Sequence, residues 1–266
     1  MKIYKALTIA GSDSGAGAGI QADLKTFAAL EVYGTSVVTA ITAQNTVGVT
    51  QVLELPPNLI AAQIDAVIKD IGADALKTGM LANSEIIETV SNKIREHGVK
   101  NLVVDPVMVA KGGDLLLRKD AIETLRARLI PLAEVVTPNL PEAEELIGLK
   151  IERATEIKEA AKRIVAMGAR SVVIKGGHRR GPATDLFFNG KNFRELRARR
   201  IRTHHTHGTG CTFSAAIAAN LAKREKLEKA VIDAKKFITS AIHNGFPIGA
   251  GHSPVHHFYH FWKNRR

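Results

Sequence analysis

Short strand-like runs, several of them continuously apolar, alternate along this chain with longer segments whose apolar residues recur every three or four positions. The runs fall at residues 6–10, 36–42, 75–78, 102–104, 135–137 and 171–174, and each predicts a β-strand. Between them the spacing predicts helices. One covers 19–31 with Ile20, Leu24, Phe27 and Ala28 inward. A second covers 57–71 with Leu59, Ala62, Ile64, Val67 and Ile68 inward, and a third, 84–97, is stopped by Gly98. Two more cover 210–223 and 228–244. Strands that are apolar throughout and separated by helices imply an α/β fold, with a mainly parallel sheet covered on both faces. Asn189-Gly190, between strand-like 183–188 and 193–199, is a strong hairpin signal and predicts a small antiparallel edge. No internal repeat or low-complexity linker interrupts the pattern, so one domain is expected over residues 1–266.

The last of these transitions carries the clearest chemistry. His207-Gly208-Thr209-Gly210-Cys211 leads straight into a helix with Phe213, Ala216, Ile217 and Leu221 on one face. The first amides of a helix have no intrahelical partners and sit at the positive end of its dipole. Glycines let phosphate oxygens approach them, so the stretch predicts an anion site. The same field is expected to favour a thiolate at Cys211. Other polar residues gather where ligands of parallel sheets bind, at the carboxyl ends of the strands. They are Gly11-Ser12-Asp13, Gln44-Asn45, Lys77-Thr78-Gly79, Asp105, Asn139 with Glu142, and Lys175-Gly176-Gly177. Seven such ends point to an enzyme. Asp105 is placed to hold Mg²⁺ through waters. Glu142, in the first turn of a helix begun by Pro141, suits either a metal or the helix dipole. Lys175 is a cation suited to a transferring phosphate, or a snorkelling side chain.

Composition narrows the classes. Of 266 residues, 45% are hydrophobic and 24% charged, which is ordinary for a globular protein. A single cysteine excludes an intrachain disulfide framework and a cysteine-based zinc finger. Without an apolar leader or a stretch of 18 apolar residues, a cytoplasmic protein with no membrane role is expected. The net charge of +11 is concentrated at 194–202, 223–229 and 263–266. These segments lack interleaved aromatics, and aromatics make up only 5% of the chain, so no nucleic-acid platform is expected. A basic surface that attracts phosphates fits better. The first loop, Gly15-Ala16-Gly17-Ala18-Gly19, matches neither G-x-G-x-x-G nor Walker A. The histidines at 204, 205, 207, 252, 256, 257 and 260 include no H-E-x-x-H spacing.

Taken in order, residues 6–19, Gln21-Ala22-Asp23-Leu24-Lys25-Thr26, Thr42-Ala43-Gln44-Asn45-Thr46, Lys77-Thr78-Gly79-Met80-Leu81, Val104-Asp105-Pro106-Val107-Met108, Thr137-Pro138-Asn139, Lys175-Gly176-Gly177-His178 and residues 206–212 resemble one family. It is the hydroxymethylpyrimidine/phosphomethylpyrimidine kinases of thiamine biosynthesis, in the ribokinase-like superfamily. The resemblance spans essentially the whole chain and implies a three-layer α/β/α kinase. Such an enzyme uses Mg-ATP to phosphorylate 4-amino-5-hydroxymethyl-2-methylpyrimidine, and then its monophosphate, as a homodimer. It also implies residue roles. Gln44 would bond the aminopyrimidine edge, with Ala18, Asp23, Met80 and Val107 lining its pocket. Asp105 and Glu142 would organise Mg²⁺, and Asn139, Lys175 and Thr209 would face ATP. The amides from Gly208 through Gly210 to Cys211 would form the anion hole, with Cys211 either a base or a shaping residue. Ala16 stands where glycine is usual, and His205 replaces a common asparagine. A pyridoxine/pyridoxal kinase of the same superfamily is the alternative, with Gln44 as the discriminating residue. A non-catalytic nucleotide-binding regulator is the alternative from another class.

Overall fold

The fold was determined as a computed structural model that describes residues 2–109, 113, 116–118, 120–177 and 181–262. Among the described residues nine strands form one sheet: β1 (Lys5–Asp13), β2 (Tyr33–Gln44), β3 (Val49–Glu54), β4 (Ala75–Thr78), β5 (Leu102–Val104), β6 (Val135–Val136), β7 (Val172–Ile174), β8 (Ala183–Phe188) and β9 (Phe193–Ala198). Their order is β3-β2-β1-β4-β5-β6-β7-β8-β9. Strands β2, β1 and β4 to β7 pair in parallel. The order in which strands are added reverses between β1 and β4, and the crevice outside such a switch point is where ligands of open parallel sheets bind.

The expected antiparallel edge is present as β7-β8-β9. A second one, β2-β3, sits at the opposite edge. Sequence patterning missed β3 because its residues are mostly exposed on both sides, which removes the alternation that marks a half-buried strand.

Helices cover both faces. On one side lie α2 (Pro57–Asp70), α3 (Ser84–Glu96), the short turn α4 (Ala121–Thr124), α5 (Leu140–Ile147) and α6 (Ala154–Ala166). They pack on Leu7, Ile9, Leu76, Val104, Val136 and Val172. On the other side α1 (Gly19–Ala29), α7 (Thr209–Ala222) and α8 (Leu227–His243) pack on Ala6, Ala75, Val103, Val135 and Val173. Two predicted helix faces need correction. In α2 the buried residues are Ile60 and Ile64, whereas Leu59 is 47% exposed. In α1, Ala28 faces solvent while Ala22 and Thr26 are buried.

The central helix is α7. Every residue from Thr212 to Ala222 is buried, so the predicted one-sided stripe is a helix buried on all sides, packed between the sheet, α1 and α8. Its small side chains, Ala215, Ala216, Ala218 and Ala219, lie in the same core cluster as Ala6 and Ala75 of the sheet. Helix and strands therefore approach closely, which carries the N-terminus of α7 to the carboxyl ends of β4 and β5. Among the described residues, no helix is long and apolar enough to cross a membrane. The tight seating of α7 has a testable cost. Ala218→Leu inserts extra methylenes into a filled interface and is expected to destabilise the protein by about 1–3 kcal/mol, read as a lower urea midpoint at unchanged m-value.

Candidate active site

A cleft of about 670 Å³ runs across the carboxyl ends of the strands, from Gln44 on β2 to residues on and after β8 and β9. It is lined by Ala18, Gln44, Met80, Val107, Asp105, Asn139, Glu142, Lys175, Gly208, Thr209, Gly210 and Cys211. One site, drawn from seven different strand ends, thus collects twelve of the thirteen residues given site roles from the sequence.

Asp23 is the exception. It has no solvent exposure and is absent from the cleft lining. Its Oδ2 accepts from Thr8 Oγ1 at 2.6 Å and from Lys77 Nζ at 2.8 Å. The expected ligand-lining role passes to Lys77, which does border the cleft. Burial works against the Lys77 ammonium, but the charges of Asp23, Cys211 and Asp105 outweigh it and hold its pKa above the usual lysine range.

The middle of the cleft is a charge cluster. Asp105 Oδ1 lies 3.0 Å from Lys175 Nζ and accepts from Thr137 Oγ1 at 3.3 Å, while Ser214 Oγ donates to Oδ2 at 3.2 Å. Burial opposes ionisation of Asp105, yet the charges of Lys175 and Lys77 hold its carboxyl below the ordinary range. Glu142 Oε2 is 3.8 Å from Lys175 Nζ. It also closes a capping box: Asn139 N donates to Glu142 Oε2 at 2.7 Å and Glu142 N to Asn139 Oδ1 at 2.9 Å. The helix-terminus reading of Glu142 is present as this capping box, and the same side chain lines the cleft. Burial, only partly countered by Lys175, pushes its carboxyl up to about 7. Lys175 is the reverse case: burial disfavours its charge, but Asp105 and Glu142 hold its pKa above normal. It is no snorkelling side chain.

Above this cluster sits the start of α7. Gly208 occupies the N-cap with φ 75° and no side-chain cap. The first intrahelical bond runs from Thr212 N to Gly208 O at 2.9 Å, so the amides of Gly210 and Cys211 precede it and point outward. A Cβ on Gly210 would stand 3.3 Å from Lys175 Nζ and 3.8 Å from Asp105 Oδ2. Amides, ammonium and carboxylate thus share one small volume. The thiolate expected at Cys211 is not what the surroundings favour. Burial dominates, Asp23 and Asp105 add to it, and Lys77 and Gly19 offset it only in part, so the thiol is pushed up to about 11.

Further lining residues escaped the sequence reading. Asp185, Ile201, Lys235, Ile238, Thr239 and Ile242 extend the cleft along α8. Asp185 accepts from Gly176 N at 2.9 Å and pairs with Lys235 Nζ at 2.7 Å. Lys235 and Thr239, four residues apart on one helix face, were the available signal. Arg199 and Arg200, from the basic segment, also line the cleft. His178 and residues 263–266 lie outside the described residues. Of the histidines, His207 contacts Asp13 and His257 Nε2 lies 2.9 Å from Thr212 Oγ1. Ala16 adopts φ 59°, a left-handed conformation that costs an alanine about 1 kcal/mol.

Known proteins are similar to this chain over most of its length. A hydroxymethylpyrimidine/phosphomethylpyrimidine kinase of Bacillus subtilis is 52% identical over 260 residues, covering 97% of this chain and 96% of its relative. The crystal structure of a phosphomethylpyrimidine kinase from Clostridium difficile superposes with a TM-score of 0.81 at 46% identity, over 91% of this chain and all of that one. An ADP complex of Bacillus subtilis pyridoxal kinase superposes with a TM-score of 0.90 at 45% identity, over 96% and 98% of the two chains. Residues 13–256 match the family described as phosphomethylpyrimidine kinase. The chain belongs to the phosphomethylpyrimidine kinase family and is a phosphotransferase of the ribokinase-like fold.

Proposed function

We propose that this protein transfers the γ-phosphoryl group of ATP to the hydroxymethyl oxygen of 4-amino-5-hydroxymethyl-2-methylpyrimidine, and then a second one to the resulting monophosphate. One observation carries this: the amides of Gly210 and Cys211 stand directly over Lys175 and Asp105 in a cleft that reaches Gln44. Phosphoryl transfer is mostly positioning and charge stabilisation. Amides fixed at a helix N-terminus, with a buried ammonium 3.3 Å from the Gly210 Cβ position, supply both.

Roles follow from chemistry. Gln44 can both donate and accept, which suits an aminopyrimidine edge. Ala18, Met80 and Val107 supply an apolar wall. Asn139, Thr209 and Lys175 face the nucleotide phosphates, and the α8 side of the cleft accommodates the rest of the nucleotide. Asp105 and Glu142 offer hard oxygen donors beside a point where the Lys175 cation already sits, and this donor set fits Mg²⁺ with its water shell. When bound there, Mg²⁺ would neutralise charge on the β- and γ-phosphates.

Cys211 acts through its main chain. A thiol held near 11 is neutral at pH 7 and makes a poor base. The second acceptor, a phosphate monoester, is largely ionised at neutral pH and needs no base. In the first step the transition state is loose, so the hydroxyl keeps its proton until late and releases it to an oxygen of the transferred phosphoryl group, and one cleft without a strong base can serve both steps.

The proposal extends to one kinase domain spanning the chain, acting in the cytoplasm where its ATP is available. It also includes a homodimer formed through the β2-β3 edge. There Ile41 and Leu53, opposite each other in the ladder, are 49% and 61% exposed. Edge strands with exposed apolar side chains are ready templates for association. Leu53→Asp is expected to shift micromolar protein from dimer to monomer by light scattering, and a wild-type monomer contradicts the dimer.

The main test is ADP release coupled to each candidate acceptor, with and without Mg²⁺. Turnover with the hydroxymethylpyrimidine and with its monophosphate is expected. Turnover with pyridoxal alone would favour the pyridoxal kinase reading, which the likeness to the Bacillus subtilis enzyme supports. ATP binding with no acceptor turned over would indicate a regulator. Gln44→Met is expected to raise the pyrimidine KM about 10–100-fold, the effect of one lost buried hydrogen bond, with the ATP KM little changed. Equal changes in both would argue against the assigned role. Alkylation of Cys211, the single cysteine, follows its thiolate fraction. Its rate is expected to climb about tenfold per pH unit from pH 7 to beyond 9.5, and a plateau near pH 8 would restore the thiolate.

A further inference from the structure

His207 serves none of the roles assigned above, yet its ring is buried at 7% exposure between two walls of the site. Its Nε2 lies 2.8 Å from Asp13 Oδ2. That carboxylate also accepts from the amides of Gly15 at 2.8 Å, Gly17 at 3.1 Å and Ala18 at 2.8 Å. One side chain therefore organises the whole first loop, including Ala18 at the cleft wall. An ionised carboxylate only accepts, so the proton resides on Nε2 and His207 donates. Gln44 Nε2 is 3.5 Å from the same nitrogen. Two donors do not bond, and the Gln44 amide hydrogens remain available to a ligand.

The fit of the ring against Gly17 is tight. A Cβ on Gly17 would stand 2.2 Å from His207 Cδ2, and one on Gly208 would stand 1.8 Å from Gly17 O. The two glycines interlock the first loop with the start of the phosphate cradle. The His207 backbone is held as well, donating to Ser253 O at 3.0 Å and accepting from Val255 N at 3.4 Å. Its ring consequently reports the position of the first loop to the residue that follows it, Gly208.

We propose that His207 is a positioning residue for phosphoryl transfer. By donating to Asp13 it fixes the distance between the acceptor pocket at Ala18 and Gln44 and the amides that begin at Gly208. Misplacement by about 1 Å can cost about 100-fold in rate, so a single bond bridging the two halves is a strong lever. The kinetic consequence rests on the kinase activity proposed above, whereas the mechanical link does not.

The test compares His207→Ala with His207→Gln, whose amide nitrogen replaces Nε2 as a donor. His207→Ala is expected to lower kcat about 10–100-fold and raise the pyrimidine KM about tenfold, with the ATP KM within about twofold. His207→Gln is expected to recover most of both losses. Hydrogen exchange without any substrate provides the second readout: in His207→Ala, peptides covering 13–18 and 207–212, the latter carrying the hydrogen-bonded amides of His207, Thr209 and Thr212, are expected to lose protection together. The proposal is overturned if Ala and Gln lose equally, if pyrimidine and ATP KM rise in parallel, or if only one of the two segments gains exchange. Should the wild-type protein turn over neither acceptor, the kinase activity fails, and joint or separate exchange of the two segments still decides the link.

Discussion

Everything in this cleft depends on how closely an alanine-rich helix can lie on the sheet. Because α7 meets Ala6 and Ala75 with side chains of its own size, its first amides reach the level of Lys175 and Asp105. Larger residues at that interface would lift the helix and separate the positive groups that a transferring phosphate needs together. Packing in the core, far from the cleft, is thus what sets the electrostatics within it. The positive φ of Gly208 completes the geometry, since a side chain there would collide with Gly17.

The charges beneath the helix are arranged in pairs that leave the site poised. Lys77 is matched by Asp23, and Lys175 by Asp105 with Glu142 at longer range. Each ammonium keeps its proton despite burial because a carboxylate stands within reach. Removing one member of such a pair leaves an uncompensated buried charge and costs about 3–5 kcal/mol. The pairing explains why Asp23 belongs to the site without touching its ligands: it keeps Lys77 charged at the floor. Cys211 lies within the influence of both ammonium groups, and desolvation still prevails over the pull of Lys77.

Much of this was legible in the chain itself. Continuous apolar strands, strand-end polar residues and the glycines before α7 located the sheet, the strand ends that line the cleft and the turn that opens α7, because each signal is local. What escaped was what depends on the third dimension. Strand β3 carries no periodicity because neither face is buried. The inward face of α2 is set by which residues meet the core, and this excluded Leu59 in favour of Ile60. A Cys pKa reflects the sum of burial and several distant charges, so the dipole argument alone gave the wrong direction. Asp23 and Lys77 are 54 residues apart, and nothing in the spacing announces that the first hides beneath the second.

The central claim is that main-chain amides at the start of α7, together with Lys175, receive the phosphoryl group in transit. A crystal structure with a non-hydrolysable ATP analogue and the hydroxymethylpyrimidine tests this most directly. The account predicts terminal phosphate oxygens at about 3 Å from the amides of Gly210 and Cys211 and from Lys175 Nζ, with the acceptor hydroxyl in line. A terminal phosphate bound elsewhere in the cleft, with those amides solvated, would contradict it.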